Sequence, residues 1–337
     1  MMSRTSLVVV AAMLVLVGPL LIDAAPETEY RTLRAQLRQD LDYARQVWEL
    51  EEPLMGEARP AEAQRFELRS RHFVFGMPRF YDNRHFGPDG PGISVVVREG
   101  FVAAHFEDMR TALWVCQRWT RSEVERMRAT ESLDRDWYDD PDLPPDLHAG
   151  NSYRGSETEL DRGHMARHSM NRAWGVNSSI YGCLMTNCAP QHRSVNRGSA
   201  YRILEDAIAD FDGLPEQIEL LWTITGTVFS RAGDPGDFAD VARITTGFGV
   251  PQATYKIAAW FGVDGAFSAR GYLFEQPHRV DADGNLSFAV PDQRQPLSSF
   301  NVPLRAIEVR TGVEFFPRLH PTEAAVLKTA VHDTLWD

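Results

Sequence analysis

Apolar residues along this chain form mostly short stretches separated by turn residues, a pattern that is typical of β-strands. Two stretches, 218–228 and 253–261, are apolar almost throughout, which predicts strands buried on both faces. A short polar segment separates two others, 101–106 and 112–118, and predicts a hairpin. The predicted strands are 72–75, 93–97, 101–106, 112–118, 218–228 and 253–261.

Helical spacing of apolar residues occurs near both ends of the chain. Residues 28–51 predict an amphipathic helix followed by a linker rich in proline and glycine, and residues 322–336 predict a C-terminal helix. The residues that carry these two patterns are Leu33, Leu37, Leu41 and Ala44, then Leu327, Val331 and Leu335.

The first 25 residues have the layout of a signal peptide. Arg4 precedes a 16-residue apolar run at 7–22, and small residues follow at Ala24 and Ala25. Because a membrane-spanning helix needs about 20 apolar residues, we predict a secreted or periplasmic protein without membrane association after cleavage. Asp23 interrupts the cleavage site, so an uncleaved anchor is the alternative.

Charge is distributed unevenly in a chain whose net charge is −12. Residues 161–204 contain one acidic residue against six arginines, a balance of +5, whereas residues 134–160 contain eight acidic residues against two arginines, a balance of −6. This argues against a protein that coats nucleic acid and suits an enzyme that contacts a few phosphates and releases them. Within the acidic segment, residues 134–156 are rich in Asp, Pro and Gly and predict a long loop. Its carboxylates are interpreted as solvated, because their spacing matches no EF-hand.

Three cysteines, Cys116, Cys183 and Cys188, allow either one disulfide with one thiol left over or three small buried apolar side chains. The sequence does not choose between these alternatives. No Cys-x-x-Cys pair is present.

The most informative motif is Asp161-Arg162-Gly163-His164. Residues two apart on a strand face the same side, so Arg162 and His164 would project together as a cation and a proton acceptor. Phosphodiester hydrolysis needs a base to deprotonate water and fixed positive charge beside the transition state. His168 lies four residues further on, but no third ligand accompanies it, so we predict no zinc site.

Two further motifs follow in order, TNCAPQ at 186–191 and NRG…LE at 196–205. Together with DRGHMA at 161–166 they resemble the DNA/RNA non-specific endonuclease family, of the ββα-metal, endonuclease G-like type. The resemblance runs from roughly residue 70 to residue 320.

The resemblance implies an α+β fold: a mixed, mostly antiparallel sheet flanked by helices, with a ββα-metal finger of the His-Me type. Strand one of the finger would end near His164, strand two would cover 182–186, and the helix would begin near Asn196. The expected segments are a signal peptide at 1–25, a helix and linker at 26–60, the nuclease domain at 61–320 and a C-terminal helix at 321–337.

The resemblance also implies a Mg²⁺-dependent endonuclease, with Mn²⁺ as an alternative ion. His164 matches the family's general base and Asn196 matches its metal ligand. One neutral amide oxygen leaves most of the hydration shell on an ion that dehydrates reluctantly. Taken alone, Asn196 would predict a helix N-cap, a role compatible with the first.

Five more residues are candidates for the family's site. Arg162 is expected to bind the phosphate, and Arg135 aligns loosely with a second family arginine. Asn187 is expected to orient the site through a hydrogen bond to the substrate or to a catalytic neighbour, or else to form a structural turn before Pro190; Gln191 of the same motif is a weaker candidate. Glu205 matches a glutamate that contacts the hydration shell of the magnesium ion.

The sequence departs from the family at three positions. Asn196 and Glu205 are nine residues apart, one more than the family spacing, which on one regular helix would turn Glu205 to the opposite face. Either the extra residue precedes the regular helix, as the phase of the apolar residues in 200–211 favours, or Glu205 is not the partner. Arg167 replaces a usual proline, and Tyr201, near a usual tryptophan, is interpreted as a packing substitution.

The expected partners are DNA and RNA, bound through phosphate contacts. The sequence leaves open a homodimer and an inhibitor protein. The alternative functions are a catalytically silent module that binds nucleic acid or protein on the same fold, and a phosphodiesterase for smaller substrates.

Overall fold

A computed structural model describes most of the chain beyond residue 70. The described residues are 71–80, 92–131, 136–148, 159–175, 178–197, 200–210, 218, 220–230, 241–244, 247–262, 265–283, 285–332 and 334–336. The chain divides into two compact units, one combining residues 1–55 with 318–325 and the other combining 56–317 with 326–337. The predicted signal peptide, the N-terminal helix and linker, and Arg135 lie outside the described residues. Within those residues, no helix has the length and apolar character needed to cross a membrane.

An antiparallel sheet of seven strands is the largest element of the described structure, in the order β12-β9-β8-β7-β4-β3-β2. Strands β5 and β6 form a separate two-stranded ribbon, and β1 with β13 and β10 with β11 form two small pairs. The strands are β1 Arg79–Phe80, β2 Ile93–Val97, β3 Val102–Phe106, β4 Thr111–Thr120, β5 Leu160–His164, β6 Cys188–His192, β7 Leu220–Val228, β8 Ala253–Phe261, β9 Phe267–Glu275, β10 His278–Val280, β11 Leu286–Phe288, β12 Asn301–Val302 and β13 Val313–Glu314.

Short helices connect and cover the strands. The α-helices are α1 Arg121–Ala129, α2 Ser178–Tyr181, α3 Arg193–Asn196, α4 Ala200–Ala209, α5 Leu304–Thr311 and α6 Pro321–Thr329, and 3-10 turns occur at Pro145–Leu147, His168–Trp174, Met185–Asn187 and Leu297–Phe300. Helix α1 begins with a capping box, because Thr120 accepts from the Glu123 amide while the Glu123 carboxylate accepts from the Thr120 amide.

The centre of the sheet is buried on both faces, as the runs in the sequence predict. Ile224 on β7 is opposite Cys116 on β4 and Ile257 on β8, and all three side chains are buried. Each such burial contributes roughly 1.5–3 kcal/mol for a large aliphatic side chain. The sheet is therefore a firm platform for the ribbon.

The β5–β6 ribbon packs against this platform through apolar and polar contacts. Met165 and Ala189 belong to one buried cluster with Val115 of β4. Thr111 donates to the carbonyl of Cys188 at 2.8 Å, and Gln191 donates to the Thr254 hydroxyl at 3.2 Å. These contacts tie both ends of β6 to the sheet.

The α+β fold with its mostly antiparallel sheet is confirmed, as are the strands at 93–97, 101–106, 112–118, 218–228 and 253–261, to within a few residues. The predicted strand at 72–75 is wrong, since the first strand is Arg79–Phe80. The predicted C-terminal helix ends early, at Thr329. Helices α1 and α5 and strand β9 were not predicted.

The finger also differs from its prediction. Its second strand is Cys188–His192 rather than 182–186, and the earlier segment is a turn followed by a 3-10 helix. The apolar residues of 182–186 are buried, and the segment bonds a neighbouring loop: the Tyr138 amide donates to the Cys183 carbonyl and the Met185 amide to the Tyr138 carbonyl.

All three cysteines are buried and none of them forms a disulfide, which settles the choice in favour of small apolar side chains. The expectation that the acidic segment is solvated is wrong for one residue. Asp140 is fully buried and accepts from Arg98 and from the Thr186 hydroxyl. These partners compensate for the cost of burying the carboxylate, so Asp140 anchors the loop to the rest of the domain and is not solvated.

Candidate active site

The β5–β6 ribbon carries the motif that ends in His164. In its register Asp161 is opposite Gln191 and His164 is opposite Cys188. Alternation along β5 places Arg162 and His164 on one face, as the spacing predicts. Glycine separates them because a Cβ at Gly163 would overlap the side-chain oxygen of Gln191. This gives Gln191 its function: its side chain packs over Gly163 and joins the ribbon to the sheet.

An indole ring lies against the imidazole of His164. The ring centroids of Trp137 and His164 are 4.4 Å apart, with an angle of 31° between the planes. The Arg162 guanidinium carbon lies 5.4 Å from the centroid of the same indole. The ring of His168 is also near, 5.4 Å from that of His164 between centroids. The predicted base and the predicted phosphate-binding arginine therefore share one aromatic neighbour.

Asn187 holds the backbone that follows His164. Its amide nitrogen donates to the carbonyls of Ala166 and Gly182, both at 2.9 Å, and its amide oxygen accepts from the Ala166 amide at 2.7 Å. The side chain is fully buried. Asn187 can therefore orient the site through the backbone, whereas direct contact with a substrate, one of its predicted roles, does not fit its burial.

Tyr201 reaches the catalytic segment from helix α4. Its hydroxyl donates to the carbonyl oxygen of His164 at 3.1 Å. The interpretation of this residue as a packing substitution is therefore too narrow, since its side chain also makes a hydrogen bond to the catalytic segment. Together, Asn187 and Tyr201 hold the backbone at His164 and just beyond it.

Asn196 bonds the strand that ends in His164. Its amide nitrogen donates to Asp161 at 3.0 Å, and Arg197 donates to the same carboxylate at 2.7 Å. Because only the nitrogen end of the amide can donate, its oxygen faces away from the carboxylate and stays available as a neutral donor to a cation. Asp161 thus sets the orientation of the predicted metal ligand.

The predicted helix start at Asn196 is wrong. Asn196 is the last residue of α3, whose N-cap is His192, and α4 begins only at Ala200. Arg197 between them has extended backbone, with φ −112° and ψ 109°. Asn196 and Glu205 do not share one regular helix, so the nine-residue spacing does not turn Glu205 away, and the extra residue precedes α4 as the apolar phase favours.

Glu205 pairs with a lysine that the sequence analysis missed. Lys256 Nζ lies 3.2 Å from Glu205 Oε1 and donates to the Thr225 hydroxyl at 2.8 Å. It also lies 4.9 Å from the centroid of the Tyr201 ring. Burial lowers the pKa of Lys256, and the Glu205 carboxylate opposes that shift. A single lysine inside the apolar run ATYKIAAWF was the available signal.

The basic character of the segment 161–204 is smaller than its sequence suggests. Arg167 pairs with Asp206 at 2.9 Å, Arg202 lies 3.7 Å from the same carboxylate, and Arg197 pairs with Asp161. Asp206 lies just beyond the segment whose charges were counted. Two of the six arginines are therefore partly neutralised by an acidic residue outside the count, and Arg197 pairs with the one acidic residue that the count includes.

The donor atoms of this region fit a sparsely liganded hard cation. Within the described residues, no three histidine, cysteine, aspartate or glutamate side chains form a group that could hold a metal ion. The Asn196 amide oxygen and the Glu205 carboxylate are hard oxygen donors, which suit an ion that keeps several waters.

These features define a class: an α+β protein with a ββα finger whose first strand ends in a histidine. A model of the DNA/RNA non-specific endonuclease family matches residues 82–322, and the chain belongs to this family. Members of the family are nucleases that typically depend on a metal ion.

Known proteins agree with this membership. The mitochondrial endonuclease G of Caenorhabditis elegans is 27% identical over 242 residues, covering 68% of this chain and 71% of that protein. The mitochondrial endonuclease G of Homo sapiens is 26% identical over 235 residues, covering 68% and 72%. A chain in the crystal structure of the EndoG/EndoGI complex has the same fold, with a TM-score of 0.57 at 20% identity over 79% of this chain and 96% of that one. The chain is thus a nuclease.

Proposed function

We propose that this nuclease is an exported, Mg²⁺-dependent endonuclease that hydrolyses the phosphodiester bonds of DNA and RNA with little base preference. His164 acts as the general base and Asn196 as the protein ligand of the ion. The observation that carries the proposal is a shared anchor: Asn196 bonds Asp161 on the strand that ends in His164.

The chain's own residues supply the base and the fixed charge. A neutral imidazole at position 164 can take a proton from water near pH 7, and Arg162 on the same face offers its planar guanidinium to the phosphate. Tyr201 fixes the carbonyl of His164 itself, and Asn187 fixes the backbone at Ala166, two residues further on. A magnesium ion held by the Asn196 amide oxygen would add positive charge beside the phosphate and the leaving oxygen.

Glu205 completes the arrangement. Lys256 holds its carboxylate from the sheet side, and Tyr201, one turn earlier on α4, bonds the carbonyl of His164. Glu205 therefore lies on the helix that contacts the catalytic strand, where we propose that it orients waters around the ion. Arg135 remains a prediction, as a second phosphate-binding arginine.

Broad substrate use follows from the kind of contact. Phosphate contacts carry no base information, and a site built on them tolerates both DNA and RNA. A net charge of −12 suits brief contact over tight coating. The products would carry 5′-phosphate and 3′-hydroxyl ends.

A nicking assay with supercoiled plasmid, repeated with structured RNA, tests this function. We expect cleavage with Mg²⁺, none with EDTA, and a fall of about 10²–10⁴-fold in rate for His164→Ala, because a general base contributes that much. His332→Ala, which removes a histidine beyond α6, is the control and should cleave like wild type. Wild-type rates from His164→Ala would remove the mechanism.

Export is tested separately from chemistry. When the full chain is expressed in a secreting host, we expect the nuclease outside the cytoplasm with a new N-terminus near residue 25, by mass spectrometry. An intact N-terminus in the membrane fraction would instead support the uncleaved anchor.

A further inference from the structure

We propose that Trp137 is a positioning residue of this active site, whose indole fixes the relative orientation of the His164 imidazole and the Arg162 guanidinium. The inference rests on the proposed roles of His164 and Arg162, and it adds a residue from a different part of the chain to them.

The ring geometry is the first support. Trp137 and His164 lie 4.4 Å apart between centroids at only 31°, a close, nearly stacked arrangement. The Arg162 guanidinium carbon is 5.4 Å from the indole centroid, within the range of a cation–π contact. Same-face residues on a strand are about 7 Å apart, so one indole is wide enough to contact both side chains at once.

The loop that carries Trp137 is firmly tethered, which is the second support. The next residue, Tyr138, bridges to Leu184, with its amide donating to Cys183 at 3.1 Å and its carbonyl accepting from Met185 at 2.9 Å. The backbone directly after Trp137 is thereby held by a strand-like pair of hydrogen bonds.

A buried ion pair secures the same loop from its other end. The Asp140 carboxylate accepts from Arg98 and from the Thr186 hydroxyl at 2.6 Å, and Asp142 adds a second contact to Arg98 at 2.6 Å. Arg98 follows β2 at the edge of the sheet. The indole itself packs against the buried cluster that contains Leu160 and Cys188. Trp137 is therefore held by the loop, the sheet and the ribbon together.

The position of the indole favours a supporting role over stacking on a nucleobase. Trp137 is half-buried and its ring already contacts His164 and Arg162. The neighbouring Tyr138 is the exposed aromatic side chain, at 46%. This contrast supplies a matched pair: one ring packed on the catalytic groups and, one residue away, one ring facing solvent.

Removal of the indole should impair turnover more than binding. Without it, the imidazole and the guanidinium lose the side chain that both of them contact, and either group can move. A displacement of about 1 Å can reduce a rate about 10²-fold. We therefore expect Trp137→Ala and Trp137→Leu to lower kcat about 10- to 100-fold with little change in KM. Trp137→Phe retains an aromatic face and should restore most of the rate, and Tyr138→Ala should cleave like wild type.

Histidine side-chain NMR gives a readout that does not depend on cleavage. In protein labelled with ¹³C-histidine, the ring current of a stacked indole shifts the ring protons of His164 upfield, and His164→Asn identifies the signal. We expect this signal to move downfield in Trp137→Leu, to move less in Trp137→Phe and to stay in place in Tyr138→Ala.

The outcomes separate this inference from the proposed function. A wild-type protein that cleaves nothing refutes the function of His164. Cleavage by wild type together with an unchanged kcat in Trp137→Leu, or an unchanged His164 signal, overturns the role of Trp137 alone. Because leucine fills much of the space of the indole, Trp137→Leu keeps the test decisive if the alanine variant does not fold.

Discussion

The central sheet and the β5–β6 ribbon are stabilised in different ways. Ile224 and Ile257 in the sheet are buried side by side and interact without directional bonds. Directed bonds hold the ribbon: Asn187, which directly precedes β6, makes three hydrogen bonds to backbone atoms, and Asp161 on β5 accepts from Asn196 and Arg197. Burial of apolar surface gives stability that tolerates small displacements, whereas directed hydrogen bonds fix the angles that chemistry needs. Substitutions in the two regions should therefore affect different properties.

The largest effect on stability is expected in the sheet. Ile224→Ala removes a buried aliphatic side chain at the centre of β7 and should lower the free energy of unfolding by about 2–5 kcal/mol. Because the ribbon keeps its hydrogen bonds, kcat of the folded fraction should be unchanged. Urea denaturation and nicking rates measured at one temperature give both quantities. A fall in kcat comparable to that of His164→Ala would show that sheet packing and site geometry are not separable.

The sequence predicted the sheet and the catalytic strand well because both have local signals. Apolar runs mark β7 and β8, and the two-residue spacing of Arg162 and His164 places them on one face. Strand β6 lies later than predicted, in CAPQH, which contains Pro190, a residue that usually argues against a strand. Pro190 is tolerated here because β6 pairs with β5 alone in a two-stranded ribbon, so its other edge needs no ladder donor.

The contacts that the sequence missed are long-range. Trp137 reaches His164 from a loop that precedes β5, and Lys256 reaches Glu205 across 51 residues of chain. Neither pair leaves a periodic pattern, because tertiary packing alone brings the partners together. The break between α3 and α4 could be predicted only in part. The phase of the apolar residues indicated that a break exists, but only the extended backbone at Arg197 shows where it lies.

A buried histidine in the sheet is expected to make the stability of the protein depend on pH. His105 on β3 is buried, and neither ring nitrogen has a hydrogen-bond partner among the described residues. Burial lowers its pKa from 6.5 to about 4. In the unfolded chain this side chain is protonated below about pH 6.5. In the folded protein it stays neutral until the pH falls to about 4. His105 therefore does not lower the free energy of unfolding above pH 6.5, and it lowers that free energy progressively as the pH falls toward 4.

His105→Leu should remove that part of the acid sensitivity, which amounts to about 2 kcal/mol at pH 5. At pH 7 the variant should be as stable as wild type or more so, because an apolar side chain of similar size replaces an unpaired polar ring. Urea midpoints at pH 7 and pH 5 measure the difference, and the pH dependence of kcat should not change. Some slope will remain, since burial also lowers the pKa of His72. An identical slope in both proteins would contradict the assignment to His105.

The smallest expected change in the free energy of unfolding comes from a substitution in the directional bonds of the ribbon. Asp161→Ala leaves the Asn196 amide without the acceptor that orients it, and loss of such a supporting bond typically weakens metal binding about 10–100-fold. Stability should change by less than about 1 kcal/mol, because the partner Arg197 is 70% exposed and exposed ion pairs contribute little. Cleavage rates against Mg²⁺ concentration measure the metal affinity, and urea denaturation measures the stability.

Arg197→Ala is the matched control, since it removes the ion pair and keeps the bond from Asn196 to Asp161. If both variants need the same higher Mg²⁺ concentration, Arg197 and not the amide bond organises the site; if only Asp161→Ala does, the carboxylate acts through Asn196.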